Sequence, residues 1–492
     1  MFGSRYTRLP THPDGTTGGV RNGGYTSHWR RWLAVCALLV LVVLGIFFYV
    51  RADVDPETPP PLTLAPQELK TPVDELFTRQ SSTLDQAAAR YSLRNGRLPP
   101  KGYDRWFRYA TAQGCLIDEY EQIYTDFQPF HQLASTDKGY FRRMAGSIWD
   151  LARGQNLGMK TFRVRKGSVE VDEWSENFYG EWMDMLRDMS EWLPPFDLVL
   201  NHRDEPRVSF DVRQPDALQA ALAPSDTTPF DNTPQPTSKW YTDEHHCLVL
   251  SAPKGFFEYA NNASSFLSYS ASSQFTTDLY PVFSQNKIYP CFSDILFPSN
   301  VSSDAEYLAD WRGQSTGGWI SGNNYISFPR FKVVELSQQH PALIDARITA
   351  LYEYFCRTEL GCDKDELKEK YNITGENAPR EDVYQYQYVL DVDGNAFSGR
   401  FLGLLKSGSL VFKSTLFTEY FSQWLRPFVH YIPVRADLAD LLQRIEWARA
   451  NPLEAKRIQE AGKEVAERVI TDAQNDCYFA LALLEWAGLQ GL

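Results

Sequence analysis

The sequence predicts an α/β protein built from two parallel-sheet halves facing across a cleft, preceded by one transmembrane helix and a stem. Three observations predict it. Trp32 to Val50 is an uncharged run of 19 residues, close to the ~20 that cross a hydrocarbon core as a helix. The segment after it is rich in proline. Farther along, apolar strand-like stretches alternate with segments of helical spacing, the pattern of a parallel sheet with right-handed crossovers.

Arg30-Arg31 and Arg51 bracket the apolar run. No Ala-x-Ala or similar cleavage site follows, so the run reads as a retained anchor rather than a signal peptide. Arg5, Arg8, Arg21, Arg30 and Arg31 stand before it against Asp14 alone, an excess that favours a cytosolic N-terminus. Everything past Arg51 is then expected in the lumen of the endoplasmic reticulum or Golgi, as a single-pass type II protein. Sequons at Asn262, Asn300 and Asn372 agree with that side. Pro56, Pro59, Pro60, Pro61, Pro66 and Pro72 keep the next stretch extended, as a stem holding the body off the membrane.

The formal net charge is −13 although the N-terminal arm is basic, so the body is strongly acidic. That argues against a nucleic-acid partner, which would need clustered Lys and Arg. Of the 7 cysteines, Cys36 lies in the apolar run; the others, Cys115, Cys247, Cys291, Cys356, Cys362 and Cys477, can all pair in an oxidising lumen. Their spacing lacks the short-range clusters of a zinc site. Cys356 with Cys362 closes a short loop and is the simplest pair.

Within the body, the spacing predicts helices over Cys115 to Phe130 and Lys138 to Arg153, a strand pair over Lys160 to Val171, and a helix over Glu181 to Trp192. Phe196 to Leu200 reads as a buried strand ending at Asn201-His202-Arg203-Asp204, and open α/β sheets place ligands at such strand ends. About Gln214 to Ser238 a Pro/Ser/Thr-rich stretch reads as a surface excursion. The last third predicts strands at Tyr386 to Leu390, Leu410 to Lys413 and Val429 to Ile432, alternating with helices at Phe397 to Lys406, Thr418 to Leu425 and Ala436 to Ala450. Two such halves across a cleft would be the glycosyltransferase-B architecture.

Several segments carry a resemblance. LPPKGYDRWFRYATAQGCLIDEYEQIYTDFQPF from Leu98, FDLVLNHRDEP from Phe196, CFSDILFP from Cys291, WRGQSTGG from Trp311, YQYVLDVDGNAFSGRFLGLLKSGSLVFKS from Tyr386 and LRPFVHYIPV from Leu425 resemble the fungal capsule-associated glycosyltransferases. These form glycosyltransferase family 90, which includes the Rumi-type protein O-glucosyltransferases of animals. The resemblance implies an inverting enzyme with two Rossmann-like domains, a UDP-xylose or UDP-glucose donor and a glycan or glycoprotein acceptor. The expected organisation is a cytosolic tail (1–31), a transmembrane helix (32–50) and a stem leading into the body (51–97). An acceptor-side domain (98–305), a nucleotide-sugar domain (306–470) and a C-terminal helix packing back on the first domain (471–492) follow.

Inversion needs a base for the acceptor hydroxyl, and the resemblance assigns it to Asp204, with Glu205 as the neighbouring alternative. Arg400, in Gly394-Asn395-Ala396-Phe397-Ser398-Gly399-Arg400, matches the family's phosphate-facing arginine, with Gly394 and Ser398 beside it. A second loop of Arg312, Gly313, Ser315, Thr316 and Gly317 is expected on the other side of the phosphates. The resemblance also pairs Cys115 with Cys477. Asp391-Val392-Asp393 looks like a metal-binding Asp-x-Asp, but arginine already supplies cationic charge, so no cofactor is expected and a divalent metal is not favoured. Asp243-Glu244-His245-His246 reads as a solvated loop. The competing reading is an inactive glycan-binding or scaffolding protein of the same fold.

Overall fold

A computed structural model describes residues 71–491 except 156, 172–179, 214–215, 223–247, 250–260, 263–274, 299–310 and 376–385. The predicted membrane run, the stem up to residue 70, the sequon at Asn300, Asp243 to His246 and most of the Pro/Ser/Thr-rich excursion lie outside the described residues; the rest of the expected stem is not extended, because Pro72 sits in the first turn of the helix Pro72–Thr78, where proline fits, and Leu84–Asn95 is helical too. Among the described residues no helix is long and apolar enough to cross a membrane. Those residues belong to one compact unit of mixed α/β structure. Asn372, of the third sequon, is solvent-exposed just past the helix Lys364–Lys370.

The body opens with helices Pro72–Thr78, Leu84–Asn95, Tyr103–Ala112, Glu121–Thr136 and Tyr140–Gly154. The first is closed by a capping box between Thr71 and Asp74. The helix expected from Cys115 begins only at Glu121. Side chains take the intervening backbone donors: Gln474 accepts from Leu116 N (2.9 Å), and Gln80 from Ile117 N and Asp118 N (2.8 and 2.9 Å). With those N–H groups satisfied from elsewhere in the chain, no helical ladder is needed.

Strands β1 (Met159–Arg165) and β2 (Ser168–Val171) form the expected hairpin. They join β3 (Phe196–Asn201), β4 (Phe283–Ser284) and β5 (Ile295–Leu296) in a sheet of order β2-β1-β3-β4-β5, with β3, β4 and β5 mutually parallel. The C-terminal part carries β6 (Trp311–Gln314) parallel to β7 (Ala346–Ala350), and β8 (Tyr388–Val392), β9 (Leu410–Ser414) and β10 (Ile432–Pro433) in a parallel sheet.

Four expected elements are shorter or different. The helix expected over Phe397 to Lys406 begins only at Phe401. The helix expected over Thr418–Leu425 is a two-residue strand, Thr418–Glu419, paired antiparallel with Asn286–Lys287, followed by a 3-10 turn. That pairing between distant segments overrides the local helical spacing. Val429 to Ile432 is expected as strand, yet residues 426–430 make a turn in which His430 N donates to Arg426 O, leaving only Ile432–Pro433 for the sheet. The helix from Ala436 starts at Leu441, because Asp437 and Asp440 accept from Ala439 N and Arg435 N, side-chain bonds that compete with helix formation.

The last helix, Asp472–Gln490, is buried on nearly every face through Cys477 to Trp486, as expected of a helix apolar all round inside a core. The Cys115–Cys477 disulfide and a 2.9 Å bond from Trp106 Nε1 to Cys477 O tie it to the first helices. Cys356 pairs with Cys362, and Cys291 is also disulfide-bonded.

Glu485 brings a charge into the buried part of this helix. It accepts from Tyr91 Oη (2.5 Å) and Arg97 Nη2 (3.0 Å) and lies 3.1 Å from His131 Nε2. Burial alone would raise its pKa, but His131, Arg97 and Tyr91 more than offset that and hold it below 4.5. Its stabilising contribution is therefore complete above the unfolded value and lost as pH falls through the lower folded one. Glu485→Gln should cost roughly 3 kcal/mol at neutral pH, the low end for a broken buried pair because Arg97 and His131 keep some water contact. Urea midpoints at pH 7 and at pH 3 test this: the deficit must shrink in acid.

Candidate active site

Loops at the C-terminal ends of β3, β6 and β8 meet at one edge. Each strand is an apolar run that ends in polar residues, so the fold delivers side chains from three distant segments to the same place. β3 delivers Asp204 and Glu205, β6 the Ser315 to Gly318 loop, and β8 the Asp393 to Arg400 loop.

Asp204 and Glu205 are sorted by environment. Asp204 is exposed to solvent, whereas Glu205 is buried. Although water reaches it, the Asp204 carboxyl lies among crowded loops whose displacement of bulk solvent raises its pKa above 3.8; a hydrogen bond from the Asn395 side chain and the charges of Arg203 and Arg330 oppose the rise. Glu205 is pushed up to about 7, first by burial and then by the Asp204 charge. Only Asp204 offers a carboxylate to an incoming hydroxyl. Its backbone is fixed by Asn286 Nδ2, which donates to Asp204 O at 2.6 Å.

Across the edge stand two guanidinium groups. Arg400 Nη1 donates to Arg312 O at 2.8 Å, and its Nε lies 3.4 Å from Ser398 Oγ. Arg330, in the first turn of the helix Pro329–Gln339, donates from Nε to Asp393 O (3.1 Å) and from Nη1 to Gln314 O (2.9 Å). Both guanidiniums lie against the Trp311 ring, at 5.8 Å for Arg330 and 5.7 Å for Arg400. Burial, and next the neighbouring Arg400 charge, pull the Arg330 pKa down to about 9. Two adjacent cations that disfavour each other gain from an anion between them.

The sequence reasoning missed Arg330. A signal was present, since a cation in the first turn of a helix opposes the macrodipole, and Pro329-Arg330 marks such a turn. Arg312 is placed differently from expectation. Its guanidinium donates to Asp345 O (2.9 Å) and Asp345 Oδ2 (2.8 Å), so it braces β6 against β7 rather than joining the other two arginines.

The remaining expected residues shape the backbone. Ser315 is buried, and its Oγ accepts from Tyr352 N at 2.8 Å. A Cβ on Gly394 would lie 2.7 Å from Arg330 Nη2 and 2.8 Å from Thr316 Oγ1, and one on Gly313 would lie 3.1 Å from the Trp311 ring. Glycine at 394 lets the arginine and threonine approach the loop without displacement. Asp391 of the Asp-x-Asp pairs with Lys413 (3.0 Å) and is fully buried, while Asp393 Oδ2 accepts from Leu416 N at 2.7 Å. These carboxylates brace β8 against β9. A cavity of about 240 Å³ lined by Trp311, Asp345, Tyr388 and Phe412 opens at the other, N-terminal ends of the strands, away from this chemistry.

Residues 267–492 match the model for glycosyl transferase family 90. The chain carries a glycosyl transferase family 90 domain. The family 90 match encloses Arg312, Arg330, Asn395 and Arg400, and Asp204 lies N-terminal to it. The chain is similar to Protein O-glucosyltransferase 3 of Rattus norvegicus, 33% identical over 191 residues, which is 37% of this chain and 35% of the relative. It is also similar to Protein O-glucosyltransferase 2 of Danio rerio, 33% identical over 162 residues, 33% of this chain and 30% of the relative. Protein O-glucosyltransferase 1 of Homo sapiens is 26% identical over 235 residues, 45% of this chain and 56% of the relative. The match spans about a third of the length of the first two of these relatives.

Proposed function

We propose that this protein is an inverting glycosyltransferase that moves a sugar from a UDP-sugar to a hydroxyl of a glycan or glycoprotein. The observation that carries the reading is one solvent-accessible carboxylate, Asp204, close enough to feel the Arg330 charge, with Arg400 beside Arg330 over the Trp311 ring at the C-terminal strand edge. Asp204 takes the acceptor hydroxyl proton as the acceptor oxygen bonds to the anomeric carbon. The bond from that carbon to the phosphate oxygen breaks on the opposite face, and UDP leaves with the electron pair. Arg330 and Arg400 meet the charge that develops on the diphosphate. Such a site draws its positive charge from the protein and requires no cofactor for the transfer.

In this reading the five-stranded sheet and the C-terminal sheets β6-β7 and β8-β9-β10 are the cores of two facing Rossmann-like halves, and the chain is held in the endoplasmic reticulum or Golgi membrane by Trp32 to Val50 with its body luminal. The donor sugar is glucose or xylose; the names of the relatives put glucose first. An inactive glycan-binding protein of the same fold is the second reading, and the paired arginines, which such a protein would not need, disfavour it.

The deciding experiment uses the full chain, solubilised from microsomes and offered UDP-glucose, UDP-xylose and other nucleotide sugars with and without simple glycoside or glycoprotein acceptors. Acceptor-stimulated UDP release from one donor is the expected result. Glycan binding with no UDP release from any donor would establish the second reading instead. Endoglycosidase treatment of the same material should increase its mobility, as a luminal body requires.

A further inference from the structure

We propose, building on the transferase reading above, that Asn201, the last residue of β3, is a positioning residue that clamps the main chain on both flanks of Asp204 and so aims the base. Asn201 Oδ1 accepts from Arg203 N at 3.0 Å, and Asn201 Nδ2 donates to Glu205 O at 2.7 Å. A backbone N–H can only donate and a carbonyl can only accept, so these partners fix the amide in one orientation. One side chain thus bonds the residues immediately before and after Asp204, while Asn286 Nδ2 holds Asp204 O itself at 2.6 Å.

The rest of the segment is pinned in the same way. His202 N donates to Gly158 O at 3.1 Å, and the Asp294 carboxylate accepts from Arg207 N (2.8 Å) and Val208 N (2.9 Å). The parallel pairing of β3 with β4 sets Ser284 beside Asn201. Ser284 Oγ accepts from Asn201 Nδ2 (3.1 Å) and donates to Asp294 Oδ1 (2.5 Å), joining the two anchors. All three side chains are fully buried. A buried amide at the end of an apolar strand is costly unless it is bonded, and the bonds of this one go to the main chain around Asp204. Residues 201 and 205 are buried and 203 and 204 exposed, so the clamp closes an arch with Asp204 on its outer side. A base must come within ~2.6 to 3.2 Å of the hydroxyl it deprotonates, and misplacement of a reacting group by about 1 Å can cost ~100-fold.

Two substitutions open the clamp. Asn201→Ser is too short to span both partners. Asn201→Asp keeps the size and the bond from Arg203 N but sets an oxygen against Glu205 O. Combining either with Asp204→Asn separates positioning from general support of the fold. If Asn201 acts by aiming the Asp204 carboxylate, its loss has little left to cost once that carboxylate is gone, as for groups acting as a unit. A residue that only supports the fold costs the same factor in both backgrounds.

The test measures acceptor-dependent UDP formation from UDP-glucose and UDP-xylose with methyl glycosides, together with UDP affinity, for the full chain and these variants. In Asn201→Ser and Asn201→Asp kcat should fall by ~10- to 100-fold with UDP affinity within about twofold of wild type. Added to Asp204→Asn, the same substitutions should lower the residual kcat by no more than about twofold. If Asn201→Ser does not fold, the isosteric Asn201→Asp decides alone. Equal factors in the two backgrounds overturn the proposal, and so does a loss confined to UDP affinity. Absence of UDP formation by the wild-type chain would reject the transferase reading itself, and this proposal with it.

Discussion

Asp204→Asn is expected to cut sugar transfer ~100- to 10,000-fold, the range for loss of a general base, while the folded structure and UDP affinity change little. The side chain stays the same size and can still meet Asn395, and the main-chain bond from Asn286 to Asp204 O is untouched. An amide cannot accept the acceptor proton. Because burial by the surrounding loops raises the Asp204 pKa, wild-type activity should fall as pH drops through that raised value, and the variant should lose this limb. Transfer and UDP binding measured on one preparation decide the matter. Near-normal transfer by a folded variant would move the base role to Glu205, which reaches about 7 and so could also take a proton near neutrality, although its burial leaves it no open approach. Lost UDP binding would make Asp204 a structural clamp.

Arg400→Ala and Arg330→Gln should each lower kcat/KM for the donor by roughly 100-fold, the scale for removing one donor to a developing anion. The guanidiniums share the Trp311 ring, and the Arg400 charge helps to lower the Arg330 pKa, so their losses are coupled. The double substitution should then cost less than the product of the single effects, as for groups acting as a unit. Glutamine at position 330 is the milder choice because Arg330 also donates to the carbonyls of Asp393 and Gln314, bonds that a shorter side chain would abandon. Titration with UDP, followed by steady-state kinetics of both single variants and the double, provides the check. Unchanged UDP affinity in both single variants would remove the pair from the donor site and leave the cluster a brace for β6 and β8.

Local signals decided what the sequence determined by itself. The hairpin of β1 and β2, the buried strand β3 ending at the Asp204 segment, the parallel pairing of β8 with β9, and the Cys356–Cys362 pair all rest on residues close in the chain. Their periodicity or loop length suffices. Family motifs added Arg400 and the Cys115–Cys477 bond, which no local pattern specifies. The tertiary structure alone decided contacts between segments far apart. Arg330 reaches Arg400 only because β6 and β8 lie side by side, and Arg312, expected at the phosphates, turns to Asp345 because β7 runs beside it. The helix expected over Thr418–Leu425 gave way to pairing with Asn286–Lys287 for the same reason. Asn395 shows the limit most sharply: one amide in a turn, inconspicuous in sequence, accepts from Gly317 N and Gly318 N of a separate loop. A side chain's partners far along the chain are set by how sheets and loops pack, and local propensity carries no information about that.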